Sequence, residues 1–447
     1  MKGMYGTIMV LAALLFAGAG GAAETDTLAA PEDGHLVAIV GATVIPMDSD
    51  RTLPGYTVVV EDDRIVSVGP EGEVDIPSGA TVVDGNGRFL IPGFAEMHGH
   101  IPPPSGSAEY IENVLFLYVS NGVTTVRGML GHPGQLELKE RVLSGDLTGP
   151  SLYLAGPGFS GQSVRSPEEA ERKARGQAAE GWDLIKVYPG LSRETYDRMA
   201  ETAREIGMRF AGHVPEDVGL LHALEMGQET FDHLDGYTEY LGAEEREVPD
   251  EDLREIARKT KEAGALVVPT MALWETLWGI AEPEALAAYD ELKYMPQSEV
   301  RSWADRYREL RSGAEKVTSA RIIDTRMRLL KVLQEEGVGI LFGTDAPQLY
   351  SVPGFSIHRE TPRMLEAGLT PYEILVSATR NVGEYFSNEV DFGTIEVGKR
   401  ADMVLLASNP LEDISSLREI EGVVLRGRWL PASEIDERLE QIGRSYQ

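Results

Sequence analysis

No cysteine occurs anywhere in the 447 residues. That absence excludes disulfides and thiolate metal sites, so any bound metal must rest on histidine, aspartate, glutamate or modified lysine. The eight histidines are therefore the first ligand candidates, of which His35 and His222 read as surface residues. Positive charge is also scarce: 41 basic against 72 acidic residues give 41 − 72 = −31, which counts against nucleic acid and anionic membrane surfaces as partners. Beyond the first residues, no stretch is long and apolar enough to span a bilayer. What is present in quantity is apolar sequence, 42% of the chain, enough to bury a sizeable core.

The opening segment MKGMYGTIMVLAALLFAGAGGAAETD carries one lysine, an apolar stretch and small residues ending near Ala23. This is the layout of a secretory signal. Residues 1–23 are expected to be a signal peptide, and the protein secreted or periplasmic with no membrane attachment after cleavage; a retained anchor is the competing reading.

Residues 35–91 and 394–430 share a grammar of short alternating strands and turn glycines, as in YTVVVEDDRIVSVG and GKRADMVLLASNP. They predict one small β-sandwich domain built from both ends of the chain. The barrel is expected over 92–393, and eight short apolar runs, the first starting just before it, each lead into a helix-like segment: 89–98, 123–127, 151–155, 184–188, 209–213, 230–233, 266–270 and 339–344. Strands alternating with helices imply a parallel sheet, and eight of them imply an α/β fold of the (β/α)8 TIM-like barrel class. The stretch 271–337, helical and rich in Trp, Tyr and charge, is expected to be an insertion over the barrel mouth.

Such barrels carry their chemistry at the C-terminal ends of the strands. The first run ends in GFAEMHGH, where His98 and His100 stand two residues apart on one side of a strand and can converge on a metal ion. In DLIKVYP, Lys186 points toward the mouth, where a buried ammonium beside metals would be costly. Two outcomes stand for it: a lowered pKa, or reaction of the neutral amine with CO2 to give a carbamate able to bridge two metals. RFAGHVP and TFDHLDG place His213 and His233 at successive strand ends, with Asp217, Asp232 and Asp235 as neighbours that can fix the ring tautomers. GILFGTDAP leads into Asp345, a carboxylate placed to ligate metal and shuttle a proton, or to cap the next helix. Tyr188, His132 and His358 are candidates for substrate binding, and Arg127, Arg165 and Arg359 for holding a substrate carboxylate.

The order HxH, Lys, His, His, Asp, set between pre-barrel strands and GKRADMVLL, resembles the amidohydrolase superfamily over nearly the whole mature chain. The branch it resembles contains imidazolonepropionase-like enzymes and Xaa-Pro or Xaa-Arg dipeptidases. The resemblance implies two divalent metals, zinc being expected. It places His98, His100 and Asp345 on one, His213 and His233 on the other, and carboxylated Lys186 between them. GVTTVRGMLGH departs from the Arg-Asp pairing common after the second strand in relatives. The expected activity is hydrolysis of an amide or peptide C–N bond in a dipeptide or N-acyl amino acid by a metal-bridging hydroxide, with Asp345 and Lys186 as catalytic groups. Alternatives are a lactonase or phosphotriesterase-like hydrolase or a deaminase on the same site, and more remotely a binding protein without catalysis. The expected partner is a small-molecule substrate, with homo-oligomerisation left open.

Overall fold

The computed structural model describes residues 35–386 and 391–447; the expected signal segment 1–23 lies outside the described residues. Five strands precede the barrel: β1 (Leu36–Val44), β2 (Leu53–Glu61), β3 (Arg64–Pro70), β4 (Thr81–Asp84) and β5 (Phe89–Pro92). The barrel strands are β6 (Phe94–Gly99), β7 (Val123–Gly128), β8 (Ser151–Leu154), β9 (Leu184–Val187), β10 (Arg209–Gly212), β11 (Thr230–Asp232) and β12 (Leu266–Val268). Three follow it: β13 (Met403–Leu406), β14 (Ile420–Leu425) and β15 (Arg428–Pro431).

The two chain ends do build one unit, but its hydrogen bonds form a single eight-stranded sheet rather than two stacked ones. The order is β15-β14-β13-β5-β1-β2-β3, with β4 added on β1. The physical reason is a bulge in β1. Gly41 has φ +76°, and a Cβ there would lie 2.6 Å from the Asn86 side chain. The strand bends at that point, so Val37–Val40 pairs with β4 while Thr43 and Val44 pair with β5. The sheet closes on its own apolar cluster, including Val37, Ile39, Val58, Val60, Leu90, Met403 and Val424.

Barrel pairing runs in a ring. β6, β7 and β8 are parallel neighbours. A bridge between Ala155 and Leu184 carries the pairing to β9, and β9 to β12 continue in parallel. Past β12 a bridge joins Val267 to Ile340. The ring then returns to β6, because Met97 N donates to Phe342 O (2.8 Å) and Asp345 N donates to His98 O (2.7 Å). The eighth position, 339–344, is therefore occupied by an extended segment that is not a regular strand. Two of its amides are spent elsewhere: Phe342 N donates to Ser377 O and Thr344 N to the Glu96 carboxylate. Crossover helices such as Pro167–Glu180 and Arg193–Ile206 start on serine caps, Ser166 and Ser192, whose side chains accept from Glu169 N and Thr195 N.

The stretch 271–337 divides into parts with different duties. Helix Lys316–Glu336 packs beside helix Asp250–Glu262 as a crossover of the barrel itself. Residues 283–313 use Leu286, Met295, Trp303 and Tyr307 to pack on Phe116, Tyr350, Val352 and Ile442. Within this stretch it is helix Met271–Leu277 that carries a ring to the cluster at the strand ends: Trp274 lies 6.2 Å from the His233 ring. Among the described residues no helix is long and apolar enough to cross a membrane.

Candidate active site

Strand polarity puts the ends of β6, β9, β10 and β11 and the end of 339–344 at one face, and five elements deliver six side chains there. His98 and His100 sit at the end of β6, Lys186 within β9, His213 and His233 just past β10 and β11, and Asp345 just past Thr344. His100 Nε2 lies 2.6 Å from Asp345 Oδ1. His98 Nε2 is 3.7 Å from that same oxygen, and His233 Nε2 is 3.6 Å from Asp345 Oδ2. Lys186 Nζ approaches His98 Nε2 to 3.1 Å. The rings of His98 and His233 are 4.3 Å apart, and those of His213 and His233 4.9 Å.

Backbone form is bent to achieve this. His233 (φ 63°), Thr270 (φ 46°) and Asp345 (φ 63°) all occupy the left-handed region, which costs a non-glycine residue of order 1 kcal/mol or more and persists only where the surroundings enforce it. Room for the lysine comes from Gly212, at φ +124°. A Cβ there would stand 2.7 Å from Lys186 Cδ and 2.6 Å from Val187 O.

Around the six lies a set of polar partners. Asp235 Oδ2 is 2.5 Å from His213 Nδ1, and Thr270 Oγ1 is 2.8 Å from His233 Nδ1. Asp232 is fully buried and central. Its Oδ2 is 2.8 Å from His98 Nδ1, although out of line for a hydrogen bond, and 3.8 Å from Lys186 Nζ. Arg127 donates to both of its oxygens, at 3.1 and 3.3 Å.

Burial, reinforced by the positive groups nearby, holds His98 and His233 well below the ordinary histidine range, so both rings are neutral. Burial lowers the Lys186 amine to about 8, against the opposing pull of Asp232 and Asp345. For Asp232 burial works upward, but Arg127 and then Lys186 outweigh it, and the carboxyl stays below its usual value. The side chains of His100 and His213 are each one-fifth exposed, whereas His98 and Lys186 are sealed. The opening to solvent therefore lies on the His100 and His213 side.

The weaker sequence candidates separate. Tyr188 reaches the cluster: its ring is 5.3 Å from the His213 ring and 5.2 Å from Lys186 Nζ, but its hydroxyl is engaged with Met129 O at 3.2 Å. His132 is partly buried and near enough to His100 for that ring to lower its pKa further, burial being the larger cause. His358 does not reach the site. Its Nε2 contacts Asn121 Oδ1 at 3.1 Å, at the end of a helix (Ala108–Ser120) that enters β7 from the far end of the barrel. Arg127 is not available to a substrate carboxylate, since Asp232, Thr230 and the Met97 carbonyl use its guanidinium. Arg359 is spent on Tyr350 O, Ser356 and Glu291. Arg165 and Asp217 are exposed, and His222 pairs with Asp197 at 2.6 Å.

Sequence reasoning passed over Glu96. It is fully buried in β6, accepts from His98 N (3.0 Å) and Thr344 N (2.8 Å), and burial pushes its carboxyl up to about 8. The signal was there: Glu96, His98 and His100 fall in phase at a period of two within an apolar run.

The donor set suits a metal. One ligand atom each from His98, His233 and Asp345 lies within 4.8 Å of the others. The 3.7 Å between His98 Nε2 and Asp345 Oδ1 suits two atoms each about 2.1 Å from a common ion. Neutral imidazoles and a carboxylate are the ligands zinc and its neighbours prefer.

A TIM-like barrel with a histidine–carboxylate cluster at its strand ends is the framework of a hydrolytic enzyme. Residues 89–430 match the amidohydrolase family. The chain belongs to that family. It is 24% identical over 426 residues to an adenine deaminase of Paracoccus denitrificans, covering 89% of this chain and 58% of the deaminase, so it spans little more than half of that relative. It is 23% identical over 464 residues to an ochratoxinase of Aspergillus niger, covering 89% of this chain and 86% of the other. In fold it is similar to a solved Xaa-Pro dipeptidase with methionine bound in its active site: TM-score 0.68, 21% identity, 89% of this chain and all of that one.

Proposed function

We propose that this protein hydrolyses a C–N bond in a dipeptide or N-acyl amino acid, and that residues 1–23 direct its export. The observation that carries the reading is the meeting of His98, His100, Lys186, His213, His233 and Asp345 at one face of the barrel. His98, His100 and Asp345 would hold one divalent ion and His213 and His233 a second, zinc being expected. Lys186 would join them after taking up CO2: its nitrogen bonds the carbon, a proton leaves, and an amine becomes a carboxylate. When bound, such ions polarise a carbonyl and make water acidic enough to ionise near neutral pH.

The chain's own residues do the rest. Asp345 Oδ1, held 2.6 Å from His100 Nε2, takes the proton of the attacking water and returns it to the departing amine. Asp235 and Thr270 fix the His213 and His233 rings from behind. Tyr188 and His132 flank the open side, where the scissile amide would enter. Likeness to a dipeptidase fold supports a small amide substrate. The adenine deaminase match supports a second reading, ring deamination, on the same groups.

The test is metal analysis of gently purified protein together with hydrolysis assays on dipeptides, N-acyl amino acids, lactones and adenine. Near two metal equivalents and cleavage of one of the first two classes are expected. Fewer than one equivalent with chelator-indifferent activity sinks the metal reading, and turnover confined to adenine or lactones replaces the substrate class.

A further inference from the structure

The ladder between β11 and β12 ends at the pair Asp232 and Val268. Beyond it the chain turns sharply twice, with His233 and Leu234 (φ 63° and 52°) on one side and Thr270 (φ 46°) on the other. His233 N still donates to Val268 O at 2.7 Å, but the carbonyls of His233 and Pro269 have run out of strand partners. A buried carbonyl without a donor is costly, and here both are met by one side chain. Arg326, 1% exposed in helix Lys316–Glu336, donates to His233 O through one nitrogen and to Pro269 O (3.0 Å) through another. Its guanidinium lies against the Trp274 ring at 4.3 Å. The helix carrying Trp274 is pinned in turn by Glu360, a buried carboxylate that accepts from Met271 N (2.7 Å) and Ala272 N (2.8 Å).

We propose that Arg326 is a positioning residue of the site: it spans the two left-handed turns and so turns the His233 ring into the cluster, where its Nε2 lies 3.6 Å from Asp345 Oδ2. The planar fork matters because it reaches two carbonyls at once, which an ammonium on a flexible stem does less well. Glu360 and Trp274 form the wall that keeps the fork in place. The proposal rests on the reading that His233 is a metal ligand.

Transfer of zinc from the loaded, full-length protein to a chromogenic chelator tests it, alongside thermal melts of the metal-free form. Arg326→Met should release at least one zinc about 10 to 100-fold faster than wild type, the range typical of lost support behind a ligand. Arg326→Lys should restore part of that loss. Leu329→Ala, a buried apolar truncation on the same helix, should lower the melting temperature yet release zinc as wild type does. Folded Arg326→Met with wild-type release overturns the proposal, and so does equally fast release from Leu329→Ala, which would reduce the effect to general loosening. If Arg326→Met is not recovered folded, wild-type release from Arg326→Lys overturns it. A wild-type protein that takes up no zinc overturns the metal reading itself, and this proposal with it, a failure visible before any variant is made.

Discussion

Glu96 and Thr344 stand 248 residues apart, yet the Glu96 carboxyl receives both the amide (2.8 Å) and the hydroxyl (2.5 Å) of Thr344. The same carboxyl accepts from His98 N, so one buried side chain ties the strand end bearing two histidines to the segment bearing Asp345. Burial pushes the Glu96 carboxyl up to about 8. Glutamine has nearly the same shape: its carbonyl oxygen can accept from both amides, and its NH2 can donate to the Thr344 hydroxyl oxygen, which then accepts rather than donates. Glu96→Gln should therefore fold with wild-type stability at pH 7. Glu96→Leu strands two buried amides and should lose about 1–3 kcal/mol for each. Urea denaturation of both decides this, and equal stability of Gln and Leu would remove the tie.

Lys186→Ala should lose about 100-fold or more in kcat on whichever substrate is found, with acetate or formate restoring part of the rate in the cavity left by the stem. A fully active Lys186→Ala protein would remove the lysine from the chemistry.

Asp232 faces Arg127 at 3.1 Å, Lys186 at 3.8 Å and His98 at 2.8 Å. Removing a partner from a buried ion pair leaves an uncompensated charge and costs about 3–5 kcal/mol. Asp232→Ala should lose that much in chemical denaturation. Asp232→Leu combined with Arg127→Met should recover much of it, because neither charge is then stranded. A double variant as unstable as the sum of its singles would contradict the pairing.

His358 gives a pH prediction away from the candidate metal ligands. Burial, then Arg418 and Arg359, bring it down from 6.5 to about 3. A depressed pKa means the folded state disfavours the proton, so this stability is complete above pH 6.5 and is lost as pH falls toward 3, at up to about 1.4 kcal/mol per pH unit. His358→Gln has nothing to titrate there. Its loss of stability between pH 6.5 and 4 should be shallower than that of wild type, and parallel curves would sink the assignment.

Much of the site was legible because it obeys local rules. The period of two exposed His98 and His100, and the position of polar residues at the ends of apolar runs exposed Lys186, His213, His233 and Asp345. Where the rule was local but the residue unexpected, as at Glu96, the signal was present and unused. Arg326 also stands in phase with Ile322, Leu329 and Leu333 on a buried helix face, a cation in an apolar stripe. Its two acceptors, however, lie in loops 57 and 93 residues away, and no periodicity names such partners. His358 misled for the same reason. The sequence put it after the last barrel segment, but the turn at 351–356 swings its ring back onto Asn121. The strands of the chain-end domain were legible, but not that their hydrogen bonds run through one branched sheet, because strand counting cannot tell one such sheet from two.

The composite sheet also sets an order of events during synthesis. β5 is made before any barrel strand, but its neighbour β13 is encoded more than three hundred residues later. While the ribosome is still producing the barrel, that flank of β5 waits with its hydrogen-bonding groups uncovered, an edge prone to pair with other chains. The fold can be sealed only once Met403–Leu406 has emerged, so a chain stopped short of it would carry all six metal-site candidates and still offer a sticky edge to its neighbours.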